Sequence, residues 1–283
     1  MAQTKLNNGV MMPLQGYGVF QITDLEQCEQ AVVEALHTGY RLLDTAATYG
    51  NEAAVGRGIQ RSGVAREDIF ISSKVWIQDA GYDKTMASFA KTLANLQTDY
   101  LDLYLIHMPY GDYQGSWRAM EDLYEAGKIK AIGVCNFEAD RLLDLILSNR
   151  IVPAIDQMEM HPFTQQKALR HILDQYGIKL MAWAPFAEGH NNLFTQPILK
   201  AIGDQYGKTP AQVVLRWLLQ SDVIAIPKSV HAERMAQNFA INDFQLTAAD
   251  LIQIATLDTE RPLILQIRAV SEVFRLHGIT FDQ

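Results

Sequence analysis

The chain has 283 residues, 48% of them hydrophobic, and its 24 Lys and Arg against 32 Asp and Glu leave a formal net charge of −8. That acidity argues against general binding to nucleic acid or to membrane surfaces, and nowhere do about eighteen apolar residues run uninterrupted as a membrane span requires. Met1 to Asn8 is polar and lacks the apolar core of a leader, so a cytoplasmic, non-secreted protein is expected; Cys28 and Cys135 alone build neither a disulfide framework nor a zinc site.

In chain order, residues 5–13 hold Asn7-Asn8-Gly9 between two short extended pieces, the pattern of a small hairpin that plugs one end of the fold. Residues 14–20 carry Gly16 and Gly18, which suits a strand whose backbone passes close to a neighbour. Residues 25–38 then show helical periodicity ended by Gly39. The alternation recurs: strands at 41–43, 69–74, 101–107, 129–134, 154–158, 179–183 and 222–226 are followed by helices at 52–62, 82–96, 116–126, 138–147, 165–176, 195–206 and 231–240. An extra helix at 210–219 precedes the last strand. Strands with little polar alternation, such as Leu101-Asp-Leu-Tyr-Leu-Ile106, suit parallel strands buried on both faces. This pattern predicts an α/β fold, a (β/α)8 TIM barrel forming a single domain over residues 1–283, with an N-terminal β-hairpin and a C-terminal arm. Residues 248–283 read as a helix plus that arm, which folds over the barrel mouth and shapes specificity.

Such barrels assemble their sites at the C-terminal ends of strands. Asp44, Lys74 and His107 end the second, third and fourth strands, and Tyr49 follows in a small-residue loop, so all four converge on one mouth. The Lys74 ammonium, at the end of an apolar run, needs a partner, and Asp44 is nearest by topology. Taken alone, that pair fits a structural ion pair as well as a catalytic one. A cation beside Tyr49 lowers a phenol pKa that starts near about 10 and makes the phenol a better acid. His107 is placed to hydrogen-bond a substrate oxygen.

Three ordered stretches resemble the signatures of the aldo-keto reductase family. They are Gly39-Tyr-Arg-Leu-Leu-Asp44 through Glu52-Ala-Ala-Val-Gly56; Met120 to Phe137, ending Lys130-Ala-Ile-Gly-Val-Cys135-Asn136-Phe137; and Ile226-Pro-Lys228-Ser229-Val-His-Ala-Glu-Arg234-Met-Ala-Gln237-Asn238. The likeness spans nearly the whole chain. It implies Tyr49 as proton donor, Asp44 and Lys74 as the pair that tunes it, His107 as the residue orienting the carbonyl, and hydride supplied by NADPH without a metal. It also assigns Asn136 and Gln157 to the nicotinamide carboxamide and Trp183 to stacking on the ring. Cys135 stands where the family more usually has serine, and Ala184 and Phe186 where serine and leucine are frequent.

No Gly-x-Gly-x-x-Gly follows a strand and no phosphate loop is present, so a nucleotide site falls to Lys228-Ser229 and the helix after them. Ser229 reads as an N-cap, and the helix start offers free N–H groups to a phosphate. Arg234, Gln237 and Asn238 are spaced to share one face. The resemblance places a 2′-phosphate on Lys228 and Arg234, which selects NADP(H) over NAD(H). Phe20, Trp76, Met108 and Tyr110 follow strands one, three and four and line the substrate mouth; Met108 replaces the tryptophan of many relatives with a more adaptable wall. His161, in Met158-Glu-Met-His161-Pro162, reads as structural because its neighbours supply no matching acid or nucleophile.

The expected activity is reduction of a small-molecule carbonyl substrate, an aldehyde or ketone, sugar-derived and dicarbonyl compounds included, with no nucleic-acid or membrane partner. The sequence leaves the oligomeric state open, a monomer among the choices. Two other readings remain: a regulatory subunit that binds NADPH without turnover, and a barrel lyase using Lys74 as a Schiff-base nucleophile.

Overall fold

The computed structural model describes residues 2–281; Met1 and the last two residues of the expected arm, Asp282 and Gln283, lie outside the described residues. Strands β1 (Gln3–Lys5) and β2 (Met11–Pro13) pair antiparallel, with Thr4 opposite Met12. The turn between them closes through Leu6 N–H to Val10 O at 2.9 Å. The Asn7 and Asn8 amides donate to the carbonyls of Pro153 and Lys130, each at 2.9 Å. Both carbonyls lie just before barrel strands begin, so the hairpin plugs the barrel bottom as expected.

The barrel starts with β3 (Tyr17–Gly18), α1 (Leu25–Thr38), β4 (Leu42–Asp44), α2 (Glu52–Ser62), β5 (Phe70–Val75) and α3 (Tyr82–Leu96). It continues through β6 (Leu103–Ile106), α4 (Tyr113–Glu125), β7 (Ile132–Cys135), α5 (Ala139–Ser148), β8 (Ile155–Glu159) and α6 (Lys167–Tyr176). The last part is β9 (Lys179–Trp183), α7 (Pro197–Tyr206), the extra helix α8 (Pro210–Gln220), β10 (Ile224–Ala225) and α9 (Ala232–Phe239). Strands β3 to β10 form one eight-stranded sheet in sequence order, and every neighbouring pair is parallel. A parallel bridge from Gln15 to Ala225 brings first and last strands together, with Gly16 N–H on Ala225 O at 2.8 Å and Ala225 N–H on Leu14 O at 3.0 Å. At this seam a Cβ on Gly16 would sit 2.6 Å from Leu42 Cδ2, and one on Gly18 would sit 2.9 Å from the Ile226 carbonyl oxygen. At this seam neither glycine leaves room for a side chain.

Every residue of β5 is buried, Lys74 included, as befits a strand covered by helices on one side and barrel interior on the other. Local chemistry explains where the elements depart from the expected bounds. The first strand shortens to β3 because pairing at its start is a single bridge. Helix α4 starts earlier than residue 116 because the Asp112 carboxylate accepts the Gly115 N–H at 2.8 Å and caps the preceding turn. Residues 187–195 form an irregular 3-10 segment, and α7 begins only at Pro197, where the Gln196 side chain takes the Leu199 N–H at 2.9 Å. After α9 come α10 (Ala248–Ala255) and, within the arm, α11 (Val270–His277). No helix among the described residues is long and apolar enough to cross a membrane.

Candidate active site

The register of the parallel strands brings the four expected residues to one end of the barrel. Asp44 closes β4 opposite Ser72, Lys74 lies opposite Leu105 one strand further on, and His107 follows β6. Lys74 is fully buried, and its Nζ donates to Asp44 Oδ2 at 2.7 Å, to the Thr45 carbonyl at 2.9 Å and to Tyr49 Oη at 3.2 Å. Tyr49 reaches it from a single 3-10 turn, Ala47–Tyr49, ended by Gly50 in the left-handed region (φ 65). His107 meets Tyr49 edge-on at 5.7 Å between ring centroids and Trp76 at 4.9 Å.

The electrostatics correct one expectation. Burial pushes the Tyr49 phenol up to about 12, and the opposing pull of Lys74 does not overcome it, Asp44 adding to the rise. The phenol is half-buried and held protonated at neutral pH, as expected, but by a pKa that is raised and not lowered. Burial alone would lower the Lys74 ammonium, but the charges of Asp44 and Tyr49 outweigh it and the net shift is upward. A Schiff-base nucleophile needs a free, reachable amine; Lys74 is neither. Burial, reinforced by Lys74, holds His107 well below the usual imidazole range, hence neutral. Its Nδ1 is buried with no hydrogen-bond partner among the described residues. Leaving a lone pair unpaired costs less than leaving an N–H unpaired, which favours the tautomer with its hydrogen on Nε2.

Next to this set, Asn136 follows β7 with a left-handed backbone (φ 63), and Ala184 follows Trp183 in the same region (φ 46). Asn136 Oδ1 accepts from Trp183 Nε1 at 3.0 Å, and its amide donates to the His107 carbonyl at 3.1 Å. Gln157, expected on the nicotinamide carboxamide alone, donates from Nε2 to Asp44 Oδ1 at 2.9 Å. Sequence reading missed that link because 113 residues separate the partners.

One cavity of about 630 Å3 opens over these groups and runs from Asp44, Tyr49 and His107 past Asn136, Gln157 and Trp183 to Lys228. Phe20, Trp76 and Met108 line it as expected. Tyr110 does not: its hydroxyl donates to the Ile267 carbonyl and its ring packs on His277, so it anchors the arm instead. The arm supplies the facing wall through Leu265, Leu276 and Ile279, and Trp76 Nε1 holds it by donating to the Ile279 carbonyl at 3.1 Å. His161, contrary to expectation, does have an acid beside it. Its Nε2 lies 3.0 Å from Glu159 Oε1, and Glu159 also accepts the backbone N–H groups of Leu263 at 2.6 Å and Leu265 at 3.0 Å. Burial raises the Glu159 carboxyl, yet His161 and these N–H groups prevail and leave it below its ordinary value. Glu159 ends β8, and a carboxylate at a strand's C-terminal end was the sequence signal for this anchor.

The nucleotide segment is only partly as expected. Ser229 does not cap the helix; its Oγ accepts the His231 N–H at 3.1 Å, and His231 is the residue that flanks α9. Arg234 and Gln237 are exposed, whereas Asn238 is buried beside Met235 on the inner side of α9. Two barrel tyrosines fix the segment. Tyr17 Oη donates to the Ser229 carbonyl at 2.6 Å and Tyr40 Oη to the Met235 carbonyl at 3.2 Å.

The model of the aldo/keto reductase family matches residues 5–259. Glyoxal reductase of Bacillus subtilis is 47% identical over 257 residues, covering 90% of this chain and 92% of that protein. Among solved structures, an aldo/keto reductase from Brucella melitensis superposes with a TM-score of 0.88 at 42% identity, over 91% of this chain and 99% of its own. A mutant of Gox0644 in complex with NADPH gives 0.88 at 35% identity, over 93% and 96%. With a family match across nearly the whole sequence and an eight-stranded parallel barrel that seats Asp44, Tyr49 and His107 on one cavity, with Lys74 buried behind Asp44 and Tyr49, the chain belongs to the aldo/keto reductase family.

Proposed function

We propose that the protein reduces small aldehydes and ketones, α-dicarbonyl compounds among them, to alcohols at the expense of NADPH. The observation that carries this reading is the single cavity joining the Tyr49–His107 pair to Lys228. The residues along it suit a phosphorylated dinucleotide: amides at Asn136 and Gln157, an aromatic face at Trp183, a cation at Lys228, and beyond it α9 with Arg234. Such a cofactor, when bound, supplies the hydride.

The chain's own residues do the rest. Tyr49 gives its proton to the carbonyl oxygen as charge develops there, and neutral His107 donates a second hydrogen bond from Nε2. Both bonds strengthen toward the transition state, as in an oxyanion hole. Lys74, pinned between Asp44 and the Thr45 carbonyl, stabilises the phenolate left behind. The mostly apolar walls from Trp76, Met108 and the arm exclude water around the reacting oxygen.

Oxidation of NADPH, followed by its absorbance across aldehydes, ketones and dicarbonyls with NADH and a carbonyl-free reaction alongside, tests the reading. Carbonyl-dependent decay favouring NADPH is expected; tight binding without decay would favour a regulatory subunit. Arg234→Ala is expected to weaken NADPH by about tenfold to a hundredfold, the loss of one charged contact, and to leave NADH nearly unchanged. Equal weakening of both would remove Arg234 from the 2′-phosphate.

The pH dependence has a definite sign. Reduction needs the phenol protonated and alcohol oxidation needs it ionised. With Tyr49 up at about 12, reduction stays flat through neutral and mildly alkaline pH while oxidation climbs about tenfold per pH unit. Positive charge on an oxidised nicotinamide shifts that climb to lower pH without changing its slope. His107 is held neutral, so it adds no acid limb near its ordinary value. Steady-state profiles in both directions check this, and a limb in the reduction profile near neutral pH would point to histidine as the proton donor.

A further inference from the structure

The Gln157 amide is buried and fully engaged. Nε2 donates to Asp44 Oδ1 at 2.9 Å and lies 3.3 Å from Met181 Sδ, while Oε1 is 3.5 Å from Cys135 Sγ. Burial keeps the Cys135 thiol protonated, so it is the S–H that points at Oε1. The same sulfur is 3.2 Å from the Asn136 amide. This arrangement decides which way the Gln157 amide faces. Turned over, its oxygen would confront the Asp44 carboxylate and its NH2 would face a sulfur that already accepts from the Asn136 amide. Asp44 in turn divides its oxygens, Oδ1 to Gln157 and Oδ2 to Lys74. A continuous chain of polar contacts therefore runs Trp183, Asn136, Cys135, Gln157, Asp44, Lys74, Tyr49.

We propose that Gln157 is a positioning residue for the proton-donating set, oriented by Cys135 and holding Asp44 in line with Lys74, in addition to forming part of the floor under the nicotinamide carboxamide. The inference rests on the reading of this site as a carbonyl reductase. With the amide in place, Asp44 Oδ1 is satisfied and the carboxylate plane is fixed, so Lys74 keeps a geometry that also reaches Tyr49 Oη. Without it, a buried acceptor oxygen is left unpaired, the carboxylate turns toward Lys74 with both oxygens, and the ammonium is drawn from the phenol.

The test separates this from a role in cofactor binding alone. In Gln157→Leu, the Tyr49 ring-carbon resonance next to the hydroxyl is read by NMR in cofactor-free protein carrying labelled tyrosine, with Tyr49→Phe supplying the assignment. NADPH affinity is read by fluorescence titration, and turnover at saturating NADPH. The resonance is expected to move, and turnover at saturation to fall about tenfold, as for one lost hydrogen bond to a charged group. An unmoved resonance with turnover restored by saturating NADPH would overturn the proposal. Cys135→Ser keeps a donor toward Oε1, and its Tyr49 resonance is expected to stay at the wild-type position; Cys135→Ala is expected to move the same resonance in the same direction as Gln157→Leu. That pair decides the matter if Gln157→Leu does not fold, and an unmoved resonance in Cys135→Ala overturns the orienting role. Failure of the wild-type protein to reduce any carbonyl would overturn the proposed function, whereas the cofactor-free spectra would still report on the link from Gln157 to Tyr49.

Discussion

Tyr49→Phe lowers kcat/KM for carbonyl reduction by about a thousandfold, the middle of the range for losing a positioned general acid, and changes NADPH affinity little. The substitution removes only the hydroxyl. The ring keeps its packing against Phe20, 4.9 Å away between centroids, and against His107. Lys74 keeps Asp44 and the Thr45 carbonyl and loses one of three oxygen acceptors. What disappears, on the proposed reading, is the proton: burial holds the wild-type phenol up at about 12, so at neutral pH it carries a proton to give. Water can replace that donor but is not positioned. Fluorescence titration of NADPH and steady-state reduction, measured on the same preparation, separate the two effects. Losses of equal size in binding and in rate would show that Tyr49 holds cofactor and does not drive the proton step.

Much of this could be read before any coordinates, and the reason is period and position. Eight apolar strands alternating with helices leave few folds open, and polar residues that end such strands must meet at one mouth. Asp44, Lys74 and His107 did so. What depended on three-dimensional enclosure was not legible. The cation beside Tyr49 suggested a lowered phenol, but the sign of the shift is set by how deeply the hydroxyl is desolvated, and spacing carries no depth. Tyr110 follows its strand just as a mouth residue should, yet the arm, from far along the chain, claims its hydroxyl. Ser229 had the composition of a cap and instead closes a turn one step ahead of α9. The Glu159 anchor needed knowledge of where Leu263 and Leu265 return. For Tyr110 and Glu159 the miss is a long-range partner replacing a local one.

Lys74→Met destabilises the fold by about 3–5 kcal/mol, the penalty for removing one member of a buried ion pair, and abolishes reduction at the same time. Methionine fills most of the lysine volume, so cavity formation is a small part of the loss. The larger part is the Asp44 carboxylate, almost fully buried and left with Gln157 as its one side-chain donor. Protonating that carboxylate or importing water are the ways the protein can respond, and both disturb the strand end that carries the site. The double variant Lys74→Met with Asp44→Asn removes the stranded charge, so its stability is expected to recover most of what Lys74→Met loses, as read by urea unfolding. Reduction is not expected to recover, because the phenolate formed when Tyr49 gives up its proton still lacks the ammonium at its oxygen. Additive losses in stability would mean that the pair contributes through packing, and recovery of reduction in the double variant would mean that Lys74 acts only by neutralising Asp44.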